Sequence, residues 1–118
     1  MSTYADQMRD AYLECAYRTD AGPDNPENEN RELTALFKAE SWVACRRFVD
    51  ACREVSINYF DYDPVQVGHD LWLTRKGHGA GFWDRPEIYG TANASLFTAF
   101  AKAQGEHYSD FEPEGNTK

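Results

Sequence analysis

Gly68-His69-Asp70-Leu71-Trp72-Leu73-Thr74-Arg75-Lys76-Gly77-His78-Gly79-Ala80-Gly81-Phe82-Trp83-Asp84-Arg85 decides how this chain is read. The stretch holds two of the three His, two of the three Trp and four of the eight Gly. Residues 71–75 and 80–84 read as strands, with Lys76-Gly77-His78-Gly79 as the turn, because glycines supply the positive-φ positions of a tight connection. In that register Leu71, Leu73 and Phe82 form an apolar face. Trp72 and Trp83 meet across the strands on the other, flanked by Asp70 and Arg85.

Outward from the hairpin, three segments show helical periodicity. In residues 3–18, Tyr4, Met8, Ala11, Tyr12, Cys15 and Ala16 recur on one face, with Ser2 or Thr3 as a cap. A second helix covers residues 41–55, with Trp42, Cys45, Phe48, Val49, Cys52 and Val55 as its stripe. Ser41 looks like its restart, and whether residues 32–38 belong to it is open. A third covers residues 93–104, with Leu96, Phe97, Phe100 and Ala103 facing the core and Gly105 as the stop. Asp63-Pro64 offers a capped single turn, and residues 107–111 could add a short strand. The expected fold is therefore α+β: three helices on a short antiparallel sheet centred on the hairpin. Cys45, Phe48 and Cys52 should face the same interior as Leu73 and Phe82.

A chain of 118 residues fits one domain spanning residues 1–118. Residues 19–30, rich in Asn, Pro and acid with Gly22-Pro23 as a breaker, read as a mobile loop, and residues 112–118 as a polar tail. Twelve Lys and Arg stand against twenty Asp and Glu, a net charge of -8, which disfavours nucleic acid as a partner. Cys15, Cys45 and Cys52 have no metal or redox spacing. Cys45 and Cys52 stand roughly 10 Å apart along one helix face, too far for a disulfide. Reduced thiols and the lack of any long apolar run point to a soluble cytoplasmic protein with no membrane span and no cofactor.

Two chemistries compete for the central stretch. Trp72, Arg75, His78, Trp83 and Arg85 carry the residue types that anchor interfaces, or that stack on a nucleobase or sugar. The plain alternative is that the tryptophans are packing between helices on both sides of the sheet. His69, Asp70, His78 and Asp84 offer acid–base groups or metal ligands, but without a recognised ligand spacing, so no catalytic residue and no metal is assigned. Asp70 and Asp84 pairing with Arg75 or Arg85 to lock the hairpin accounts for the same residues.

The stretch also resembles a signature of the form GHDFWLTRNGHGAGFWDR in small proteins encoded by tailed bacteriophages and prophages, departing from it at Leu71 and Lys76. Weaker likeness extends through residues 11–17, Cys45, Arg46, Phe48, Gly105, Glu106 and Tyr108. The resemblance carries no catalytic residues. It implies an accessory protein that binds a host or phage protein, such as a defence effector. A small-ligand or nucleotide module on the Trp72/Trp83 face and a small enzyme centred on His69, Asp70 and His78 are the alternatives.

Overall fold

The computed structural model describes residues 3–21, 25–77 and 79–113, so Ser2, Gly22, Pro23, His78 and the tail from Glu114 lie outside the described residues. The α+β expectation is overturned. Among the described residues, five α-helices, α1 (Tyr4–Asp20), α2 (Ala35–Glu54), α3 (Pro64–Lys76), α4 (Pro86–Tyr89) and α5 (Thr91–Ala103), alternate with loops and 3-10 turns. The sole β feature among the described residues is an isolated antiparallel bridge between Leu33 and Phe111. Residues 107–111 thus form no strand of a sheet. Instead, Thr34 N donates to Asp110 O at 2.9 Å, and Glu112 N to Glu32 O at 2.8 Å.

The hairpin is replaced by the end of a helix. Asp63 caps α3 by accepting from Val65 N at 2.9 Å, and Pro64 takes the first helical position, so the turn expected there runs on to Lys76. Gly77 adopts the left-handed conformation (φ 75°) and ends the helix, its N–H reaching Leu73 O and Thr74 O. Residues 82–84 form a 3-10 turn rather than a strand. The reason for the misreading is physical. Val67, Asp70, Leu71, Trp72, Thr74 and Arg75 are all buried, so α3 is covered on most sides and shows no single apolar stripe.

Two glycines of the stretch are contact glycines. A Cβ on Gly68 would lie 2.2 Å from the Met8 carbonyl oxygen, so α1 and α3 pack backbone to backbone there. A Cβ on Gly81 would lie 2.2 Å from Thr74 Oγ1, and that hydroxyl accepts from Phe82 N at 3.1 Å. The 82–84 turn is thereby pinned to the end of α3.

α1 and α2 follow their sequence signals more closely, whereas Leu96 and Ala103 on α5 and Val55 after α2, expected in the core, are exposed, and α4 forms in place of an expected loop. Thr3 and Asp6 form a capping box on α1, whose buried residues are Met8, Ala11, Tyr12 and Ala16. Thr34 caps α2 by accepting from Phe37 N. Ser41 starts nothing: it is buried inside α2, its hydroxyl donating to Phe37 O at 2.8 Å. Cys45, Phe48 and Cys52 are buried on the inner side of α2. Phe48 meets Phe97 and Phe82 edge-on at 5.0 and 5.3 Å, and Tyr89 closes on Phe82 at 5.2 Å. These edge-to-face contacts join α2, α5, α4 and the 82–84 turn into one core. Leu73 is half-buried against it.

Candidate functional site

The residues of the central stretch are dispersed by the helix. Asp70 is fully buried and accepts from Arg85 Nε at 2.7 Å, Tyr89 OH at 2.6 Å and Gln66 Nε2 at 2.9 Å. Such a carboxylate, saturated by one cation and two neutral donors, ties α3 to α4 and has no open face for a substrate. The Tyr89 phenol is held far above its ordinary pKa by burial, then by Asp70. His69 precedes Asp70 by one residue, about 100° around the helix, and meets α1 instead, its Nε2 3.9 Å from Glu14 Oε1. Among the described residues no group of three or more His, Cys, Asp or Glu could hold a metal ion.

Trp72 is fully buried, with the Lys76 ammonium 5.1 Å from its ring centroid, whereas Trp83 is 50% exposed. They form no common face, so the cross-strand platform does not exist. Asp84 is exposed, Arg85 is committed to Asp70, and His78 lies outside the described residues.

Arg75 leads to a second polar cluster that joins distant parts of the chain. Its Nε donates to Gly105 O at 2.9 Å, Nη2 to Gln104 O at 3.0 Å and Nη1 to Tyr12 OH at 3.1 Å. The Tyr12 hydroxyl lies 2.5 Å from His107 Nδ1, and His107 Nε2 lies 3.3 Å from Glu40 Oε1. One proton arrangement satisfies every contact: neutral His107 carries its proton on Nε2 toward Glu40 and accepts from Tyr12 at Nδ1. Burial, then the positive charge of Arg75, lowers the His107 pKa and keeps it neutral. Burial likewise raises that of Tyr12. Both imidazole nitrogens are occupied and Tyr12 is wholly buried, so this relay presents neither His107 nor Tyr12 as a free base. It does form the floor of a cleft of about 400 Å³.

A third feature lies along α1 and α2. Trp42 is half-buried, with the guanidinium of Arg9 5.1 Å and that of Arg46 5.9 Å from its ring centroid. Hollows of about 420 and 510 Å³ share Trp42 as a wall. Arg9, Lys38, Arg46 and Arg53 line them against Asp10 and Asp50, an excess of two positive charges. Tyr4, Tyr59 and Phe60 finish one end, with Phe60 63% exposed. On α2 the residues Lys38, Trp42, Arg46 and Arg53 fall three to four residues apart or a multiple of it, a stripe roughly 22 Å long.

No protein-family model, no curated protein and no solved structure matches this chain. Among the described residues no helix is long and apolar enough to cross a membrane. Sequence reasoning missed the functional promise of Trp42, Arg9 and Arg46, placing Trp42 in the buried stripe. The four-residue spacing of Lys38, Trp42 and Arg46 was the available signal. Tyr12, Glu40 and His107 carried none, because only the tertiary fold joins residues 95 positions apart.

Proposed function

We propose that the protein acts by binding another protein, and that the groove around Trp42 receives an acidic segment of the partner carrying an aromatic or aliphatic anchor. The observation that carries this reading is Trp42 with two guanidiniums within 6 Å of its ring in a locally cationic groove, on a chain whose net charge is -8. Trp, Tyr and Arg are the residue types that dominate interface energetics, and a pocket beside them accepts a partner's anchor. The surrounding negative charge repels an acidic segment elsewhere and leaves this groove as its attractive landing place. For a chain that resembles small phage proteins, the partner is a host or phage protein with such a segment.

Selection from a displayed peptide library tests this. Acidic peptides with one large apolar residue should be enriched, bind more weakly as salt rises, and lose about ten-fold or more in affinity with Trp42→Ala or Arg46→Glu. Enrichment of neutral or basic peptides, or binding indifferent to Arg46→Glu, refutes the reading. A second surface is favoured by one observation: Trp83 is half-exposed on a turn pinned by Phe82 and Thr74. Loss of binding in Trp83→Ala but not in Trp42→Ala moves the interface there.

A further inference from the structure

We propose that the cleft between α2 and the Gln104–His107 segment binds a small zwitterion of the α-amino acid class with an apolar side chain. The proposal starts from an uncompensated charge. Lys76 pairs with Asp20 at 2.8 Å and Arg85 with Asp70 at 2.7 Å, yet Arg75, which is 91% buried, has no carboxylate within 4 Å among the described residues. Its partners are two carbonyls and a phenol, which take three of its five N–H groups. A buried guanidinium held only by neutral acceptors favours an anion wherever one can reach it.

Arg75 lines two hollows, and the larger, a cleft of about 400 Å³, is the one that adds a second guanidinium, Arg47. Arg47 stands on its α2 side, exposed and with no ion-pair partner within 4 Å among the described residues, so a carboxylate bridging Arg75 and Arg47 would satisfy both. Glu40 lies on the same wall with one oxygen facing His107, which leaves the other for an ammonium group. With Glu106 at the rim, the charged lining balances two cations against two carboxylates, which suits a ligand without net charge. Val43 and Ala44 supply apolar wall for an aliphatic side chain. This site lies on a different flank of α2 from the Trp42 groove, and neither reading depends on the other.

The test is NMR titration of the ¹⁵N-labelled protein, following the Arg Nε–H signals and the His107 ring. The probes are L-valine, L-leucine and L-methionine, with 4-methylpentanoate and 3-methylbutylamine as analogues of leucine lacking one charge. At least one amino acid should shift the Arg75 and Arg47 signals saturably, and each analogue should bind about ten-fold more weakly or worse, the worth of one charge-assisted contact. Arg47→Ala, a change at an exposed position, should weaken amino acid binding about ten-fold without lowering the melting temperature, and Glu40→Gln should also weaken it. Failure of all three amino acids to give saturable shifts overturns the proposal. So does binding of either analogue as tightly as leucine, or binding unaffected by both substitutions.

Discussion

Gly68→Ala inserts one methyl group where α1 and α3 touch through their backbones. The new Cβ would sit 2.2 Å from the Met8 carbonyl oxygen, 3.1 Å from its carbon and 3.0 Å from Ala11 Cβ. Two of these atoms belong to the backbone of a helix, so no side-chain rotation relieves the overlap. The helices must part by roughly 1 Å, a gap that forfeits a quarter to a half of each dispersion contact along the seam. That seam is formed by Met8, Ala11, Tyr12 and Ala16 on α1, facing Val67, Leu71 and Trp72 on α3, all buried. Overpacking typically costs about 1–3 kcal/mol, and a rigid backbone obstacle puts this site at or above the top of that range. Alanine's better helix propensity returns about 1 kcal/mol. The expected net loss is about 2–4 kcal/mol, or a fall in melting temperature of roughly 10 °C for a domain of this size. Urea unfolding followed by circular dichroism should show a lower midpoint at an unchanged slope. A variant as stable as the wild type would refute the backbone contact and the helix pairing built on it.

Asp70→Ala should cost about 3–5 kcal/mol in urea unfolding, because it strands Tyr89 and Gln66 as well as breaking the bond to Arg85; a loss under about 1 kcal/mol would show that water replaces the carboxylate. His107 titrates below its ordinary value of 6.5 in the folded chain, so its neutral form is the one the fold favours. Its contribution is complete above pH 6.5, declines as pH falls through 6.5 toward the lower folded value, and stops changing below that. The stability–pH curve of His107→Gln should be flatter over that window, and an identical curve would count against the buried contact. Burial pushes the thiols of Cys45 and Cys52 up to about 12, so both should resist thiol reagents in native buffer and react promptly in denaturant. Native labelling at the denatured rate would contradict the packing of α2.

Periodicity and capping chemistry were sufficient for much of this protein. The stripe of Met8, Ala11, Tyr12 and Ala16, the Thr3 cap, the burial of Cys45, Phe48 and Cys52, and the Asp63-Pro64 start all act within a few residues, where local forces dominate. Leu71 to Arg75 defeated the same reasoning. A helix packed on several sides has no amphipathic stripe, and glycines that end a helix or admit a neighbouring backbone look like those of a hairpin turn. Only tertiary packing decided that Gly77 is a C-cap, that Gly68 is a contact point, and that Trp72 is core while Trp83 meets solvent. The candidate sites divide the same way. The basic stripe beside Trp42 lies within one helix and is written at four-residue spacing. The Arg75, Tyr12, His107 and Glu40 cluster comes from four separate segments, and no local rule can bring those together before the chain has closed.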